Sequence, residues 1–243
     1  ISVTFFCTPF LFFQHKITKK NVSFVIIFLI IFLSNYLYGL HKISNSVYQF
    51  DDKIYVKIVS PSFSLKDYDT QSEFMQLKRL IKISDPEKNK KTLFIWPEGI
   101  FYQSYLEDIK KYKNLFYNEF SENHLIILGI NHFINTGNNF KNQKYFNSLA
   151  ILNHNLDVLS IYNKINLVPF GEFLPFEKVL SKFGLKKITR GYYSFSAGDI
   201  RTTINLGNKF NEKLILPLIC YEIIYSGKIK KKNQFPDLVI NIS

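Results

Sequence analysis

The run Lys213-Leu-Ile-Leu-Pro-Leu-Ile-Cys220-Tyr-Glu222 decides how this chain folds. From Leu214 to Ile219 it is apolar without a break, the pattern of a strand buried on both faces. Such a strand delivers a thiol to its C-terminal tip, followed at once by an aromatic ring and a carboxylate. The chain holds two cysteines in 243 residues. Cys7 lies in an apolar N-terminal stretch, so Cys220 is the candidate nucleophile. A free cysteine serves equally well as a small core residue, and Cys220 acquires a chemical role only through its neighbours in the fold.

Two further segments share the design of an apolar strand ending in a reactive residue. In Leu93-Phe-Ile-Trp-Pro-Glu98, Pro97 stops the ladder because it has no N–H to donate, and Glu98 is left at the strand end. Ser160-Ile-Tyr-Asn-Lys164 runs into Ile-Asn-Leu-Val-Pro-Phe-Gly-Glu172. Strand ends on one side of a layered α/β fold are where sites collect. Trp96, the sole tryptophan, is assigned to the core. Phe170, Phe173 and Phe176 fit an apolar lid or a loop anchor equally.

The three residue types complement one another chemically. A thiol attacks a carbonyl as thiolate, and its free pKa near 8.5 leaves it mostly protonated at neutral pH. Glu98 can take that proton as general base and return it to the leaving group. The Lys164 ammonium favours the thiolate and stabilises a tetrahedral oxyanion, with the Tyr221 backbone N–H as a second donor. Glu172 or Glu222 can hold the lysine and keep it charged. A Cys–His pair is the rival arrangement, but His15, His41, His124, His132 and His154 lie in no comparably punctuated segment.

The rest of the chain bounds the function. No CxxC or HExxH spacing suggests a metal site, and no cofactor-binding loop is present. The net charge of +12 follows from a general excess of lysine. Apart from Lys228-Ile-Lys-Lys-Lys232 the basic residues are scattered, without an accompanying aromatic motif, so nucleic acid is not an expected partner. Val22 to Leu40, VSFVIIFLIIFLSNYLYGL, holds 19 residues without a charge, close to the roughly 20 that cross a bilayer as a helix. Tyr36 and Tyr38 suit the interface. The basic loop Gln14 to Lys20 before the span is cytoplasmic by the positive-inside rule, which puts everything after His41 on the far side.

The expected organisation is an apolar tail and basic loop over 1–20, a transmembrane helix over 21–41, a linker over 42–52 and a catalytic domain over 53–243. The chain begins and ends inside apolar runs and is expected to be a fragment. Strands are expected at Ile54–Val59, Thr92–Trp96, His124–Ile130, Phe146–Leu152, Val158–Tyr162, Thr202–Leu206, Leu214–Ile219 and Leu238–Ile242, with helices at Gln71–Ile83, Tyr105–Phe120 and Phe176–Phe183. Many strands with few intervening helices favour stacked sheets flanked by helices over an alternating Rossmann pattern.

Trp96-Pro-Glu98, the block from Lys164 to Pro175, and Cys220-Tyr-Glu222 resemble the three motif blocks of the nitrilase (carbon–nitrogen hydrolase) superfamily. The middle block and the preceding span resemble its membrane branch, the apolipoprotein N-acyltransferases. The resemblance implies an α/β fold, a four-layer αββα sandwich preceded by a transmembrane helix. It implies Glu98 as general base, Lys164 as oxyanion-stabilising lysine, Cys220 as acylated nucleophile and Glu172 as supporting carboxylate, with Tyr221 and Glu222 lining the site. The implied partners are a phosphatidylethanolamine-type acyl donor and a diacylglyceryl-lipoprotein acceptor, handled by a monomer on the periplasmic side of the bacterial inner membrane. The chain departs from the pattern in its single full span and in Gly99, where a small polar residue is common. A soluble amidase and an inactive membrane-anchored remnant are the competing functions; the span from Val22 discriminates against the amidase.

Overall fold

The computed structural model describes residues 19–45, 54–63, 71–135, 143–176, 194–225 and 235–243. Two compact units, Ile1–Asp51 and Asp52–Ser243, divide the chain. In the first, helix α1 runs from Lys19 to Ser44. Its segment Val22–Ser44 has a mean hydropathy of 2.1 and no buried residues. It is apolar all round, with Val22, Ile26, Ile30, Leu33 and Leu37 all exposed, and it is long and apolar enough to cross a membrane. The helix exceeds the expected 21–41 because Lys19 and Lys20 at one end and Lys42 to Ser44 at the other continue the same helical turns. The basic stretch before Lys19, most of the linker, the expected Phe176–Phe183 helix beyond Phe176 and the Lys228 run lie outside the described residues.

The second unit is built on a five-stranded sheet ordered β1 (Tyr55–Ile58), β2 (Thr92–Ile95), β3 (His124–Asn135), β4 (Gln143–Leu152), β5 (Val158–Asn163). The pairs β1–β2 and β2–β3 are parallel; β3–β4 and β4–β5 are antiparallel. A second sheet places β7 (Leu214–Ile219) between β6 (Ile204–Asn205), antiparallel, and β8 (Leu238–Ile242), parallel. Pro217 is tolerated in β7 because β6 pairs only with Leu214 and Ile215, so at Pro217 the ladder runs to β8 alone.

Alternation along the strands of the first sheet feeds two cores. Leu93, Leu125, Ile127, Leu149, Ile151 and Tyr162 turn toward the second sheet and pack with Phe210, Ile215, Ile219, Ile240 and Ile242. Phe94, Ile126, Leu128, Ala150 and Leu152 turn the other way, against a helical layer. That layer contains α2 (Glu73–Ser84), which buries Leu77, Leu80 and Ile81 at helical spacing. Its N-terminus is capped by Ser72, whose hydroxyl accepts from the Met75 N–H. The expected single helix Tyr105–Phe120 is two pieces, a 3-10 helix Leu106–Tyr112 and then α3, Lys113–Glu119. The spacing explains the break. Leu106, Ile109 and Tyr112 recur every three residues, which suits three residues per turn, while Phe116 and Phe120 follow at four. Trp96 is fully buried in this core, and its indole N–H donates to the Ser84 hydroxyl at 3.0 Å. Helix, sheet and second sheet are the layers of this unit among the described residues.

Candidate active site

Strand direction brings the chemistry to one end of the first sheet. The ends of β2 and β5 and the first half of β4 meet there, since β4 runs antiparallel to β3 and β5. In register, Asn131 on β3 faces Asn147 on β4, and Ser148 faces Asn163 on β5. Lys164 therefore follows directly beside Asn147, and its N–H donates to the Asn147 carbonyl at 2.8 Å.

Lys164 is 1% exposed, and its ammonium reaches Glu172 Oε1 at 2.9 Å. Glu172 Oε2 accepts from the Val168 N–H at 2.9 Å. A segment after the second motif block straps this loop in place. The Phe195 N–H donates to the Glu172 carbonyl, Ser196 N–H to the Tyr145 carbonyl and Gly198 N–H to the Lys164 carbonyl. Gly198 has to be glycine, because a Cβ there would lie 2.3 Å from the Asn163 carbonyl oxygen.

Asn147 joins this pair to Glu98. Its amide nitrogen donates to Glu98 Oε1 at 2.6 Å and to Glu172 Oε1 at 2.7 Å. Burial pushes the Glu98 carboxyl above the ordinary carboxylate range. The Asn147 hydrogen bond and the Lys164 charge oppose that rise, and the Glu172 charge adds to it. A carboxyl poised in this way can both accept and return a proton.

Glu98 is seated by a close backbone approach. A Cβ on Gly129 of β3 would stand 2.8 Å from Glu98 Cα and 3.1 Å from Ile242 Cδ1 on β8. Because the nearest atom is backbone, Gly129→Ala must move Glu98 itself. It is expected to cost about 1–3 kcal/mol by overpacking and to slow reaction at Cys220, which thermal melting and a rate measurement check together.

At the end of β7, Ile219 is still extended, and Cys220 then takes φ +53°. A non-glycine residue in that region stores strain of about 1–3 kcal/mol. The turn continues as a 3-10 helix, Cys220–Ile224. Cys220 is half-buried against the inter-sheet core and is a free thiol. Among the described residues no hydrogen bond joins it to Glu98 or Lys164. The Tyr221 side chain is exposed.

The spacing left open whether Glu172 or Glu222 holds the lysine, and the structure pairs Lys164 with Glu172. Glu222, expected to line the site, is completely buried and works as a clamp. Its Oε1 accepts from the Ile165 and Asn166 N–H groups and from Arg201 Nη2 at 2.9, 3.1 and 2.9 Å. Its Oε2 accepts from the Ile219 N–H at 3.0 Å, and the Tyr162 hydroxyl lies 3.0 Å from both oxygens. One carboxylate thus ties the backbone after Lys164 to the backbone before Cys220. Burial pushes the Tyr162 hydroxyl above its ordinary range, which keeps it a donor. Sequence reasoning missed Asn147, Gly129, Tyr162 and Arg201. The available signals were a glycine and an asparagine interrupting apolar strands.

The family model for carbon–nitrogen hydrolases matches residues 61–232. An "Apolipoprotein N-acyltransferase" of Bradyrhizobium diazoefficiens is 37% identical over 98 residues, 40% of this chain and 18% of that protein. Another of Rickettsia typhi is 30% identical over 210 residues, 85% of this chain and 40% of that protein. The chain spans less than half the length of these curated relatives. Among solved structures, a mutant nitrilase-superfamily amidase from Nesterenkonia AN1 aligns over 81% of this chain and 67% of its own, at TM-score 0.42 and 10% identity.

Proposed function

This chain belongs to the carbon–nitrogen hydrolase family, and on that premise we propose that it acts as an apolipoprotein N-acyltransferase. It would move a fatty acyl chain from a phospholipid, through a thioester on Cys220, to the α-amino group of a diacylglyceryl-cysteine at a lipoprotein N-terminus. The name shared by the relatives supports the reaction class. The observation that carries the chemistry is the hydrogen-bonded chain Glu98–Asn147–Glu172–Lys164, buried from Asn147 onward, which supplies a base and a cation at the strand ends.

In the first half-reaction Glu98 takes the Cys220 proton and Sγ bonds to the acyl carbonyl carbon of the donor ester. The negative oxygen that develops is stabilised by Lys164 and the Tyr221 N–H. The C–O bond then breaks, and Glu98 returns the proton to the departing lysophospholipid alkoxide. In the second, the acceptor amine attacks the thioester, Glu98 removes the amine proton, and C–S cleavage with proton return regenerates the thiol. The ion pair with Glu172 at 2.9 Å holds the Lys164 ammonium in place through both half-reactions.

Helix α1 supports an anchor in the inner membrane. The basic residues Lys16, before it, and Lys19 and Lys20, at its start, favour a catalytic unit on the periplasmic side. The test is thioester formation with a phospholipid labelled in its acyl chain. The intact chain is expected to take up label at Cys220, and Cys220→Ala to take up none. Label persisting in Cys220→Ala would overturn the mechanism, and no label on the wild-type chain would overturn the activity assigned to it.

A further inference from the structure

We propose that Asn147 is a positioning residue of this site: its single amide nitrogen holds Glu98 and Glu172 side by side and presents Glu98 to the reaction as a proton acceptor. This rests on the assignment of Glu98 as base and Cys220 as nucleophile made above.

Asn147 is 5% exposed and lies on β4, anchored by register to Asn131 on one side and adjoining the Lys164 backbone on the other. Glu98 comes from the turn after β2 and Glu172 from the loop after β5. Nothing in the local sequence forces these two carboxylates together. Ionised carboxylates only accept, so the amide must turn its nitrogen toward both. That nitrogen carries two protons, and the two acceptors at 2.6 and 2.7 Å use both.

Charge makes the bridge necessary. The charged groups facing Glu98 are Lys164 and Glu172, and Lys164 spends its direct contact on Glu172. One buried carboxylate and one half-buried carboxylate therefore share one ammonium. Glu98, the one farther from the cation's contact, has the Asn147 amide as its hydrogen bond among the described residues. Charge-assisted hydrogen bonds are the strong ones, and this one favours the ionised form against burial. No other side chain of this size offers two neutral donors on one atom. Serine and threonine have one, aspartate has none when ionised, and lysine would add charge and length.

The experiment follows alkylation of Cys220 by iodoacetamide across pH in the full chain, read by mass on the Cys220 peptide. Here Sγ displaces iodide, and Glu98 takes the thiol proton. The wild-type rate is expected to fall on the acid side as Glu98 becomes protonated, and Glu98→Gln to lose that limb and keep only the rise at higher pH that any thiol shows as it ionises. Asn147→Ala removes a hydrogen bond to the ionised form, so more Glu98 is protonated at a given pH. Its acid limb is expected to move to higher pH, with the rate on the acid side down about 10- to 100-fold and the plateau little changed. Asn147→Asp, similar in volume but a third carboxylate, is expected to move the limb further the same way. If Asn147→Asp does not fold, Asn147→Ala decides alone.

A rate that falls evenly at every pH in Asn147→Ala, with its limb unmoved, would mean a structural role and overturn the proposal. So would a wild-type limb that survives in Glu98→Gln. Alkylation needs no lipid, so the two readings fail separately. A chain that alkylates with the expected pH shifts but takes up no acyl label loses the acyltransferase reading and keeps this one.

Discussion

Replacing Lys164 with methionine is expected to lower stability by about 3–5 kcal/mol and to abolish measurable acyl-thioester formation. The side chain is 1% exposed and its partner carboxylate is itself largely buried. Removing the ammonium leaves buried Glu172 and half-buried Glu98 as neighbouring carboxylates joined by Asn147, with no cation between them. For a unit of this size each kcal/mol moves the melting temperature by about 2–4 °C, so a drop of roughly 6–20 °C is expected. Loss of a preorganised oxyanion partner costs about 10²–10³-fold in rate by itself. The double variant Lys164→Met/Glu172→Gln separates the two effects. Neutralising the orphaned carboxylate is expected to recover part of the melting temperature, because the cost of the single change lies in an uncompensated buried charge. It is expected to recover none of the rate, since the cation is still missing. Equal melting temperatures for single and double variants would show that the orphaned Glu172 charge is not the source of the loss. A Lys164→Met chain that forms thioester at the wild-type rate would remove Lys164 from the mechanism.

The sequence shows these residues unevenly, for physical reasons. Leu214–Ile219 and Thr92–Ile95 are strands buried on both faces, so their apolar runs announce them, and Glu98 and Cys220 are conspicuous as the polar interruptions that end those runs. Lys164 and Glu172 stand out by the same contrast. The residues that connect them are invisible locally. Asn147 matters because antiparallel register sets it beside Lys164 and opposite Asn131, and register is a property of paired strands. Gly129 matters because Glu98 Cα approaches it from another strand. Tyr162 and Arg201 matter because a carboxylate 60 and 21 residues away lies against them. Spacing alone could not decide between Glu172 and Glu222 as the partner of Lys164. Both follow apolar residues near strand ends, and only the fold determines which side chain points to the ammonium. The 3-10 form of Leu106–Tyr112 was readable in principle from its spacing of three, yet its overlap with a helical period of four through Phe116 and Phe120 merges the two into one apparent helix.

Glu222→Gln tests whether the clamp, rather than any contact with substrate, is what the third motif block provides. The change is isosteric, so packing is preserved and the effect is confined to charge and hydrogen-bond polarity. Glutamate presents two acceptor oxygens to the donors Ile165 N–H, Asn166 N–H, Arg201 Nη2, Tyr162 OH and Ile219 N–H. Glutamine presents one. If its oxygen takes the Oε1 position, its NH₂ faces the Ile219 N–H, donor against donor; if it turns over, the NH₂ faces Ile165, Asn166 and Arg201. Either way Arg201, whose side chain is 9% exposed, loses its charge partner. Stability is expected to fall by about 3–5 kcal/mol, the range for breaking a buried pair from one side. The first orientation selects Ile219 as the point of failure, and that is the residue leading into the strained Cys220 turn. Thioester formation is therefore expected to fall even at temperatures where the variant remains folded by circular dichroism. Arg201→Met is expected to cost less, because Glu222 keeps three backbone donors and the Tyr162 hydroxyl. A Glu222→Gln chain that melts with the wild type would show that the carboxylate's charge does not hold the Lys164 loop to the Cys220 turn. One that melts lower but reacts normally while folded would show that the turn keeps its geometry without it.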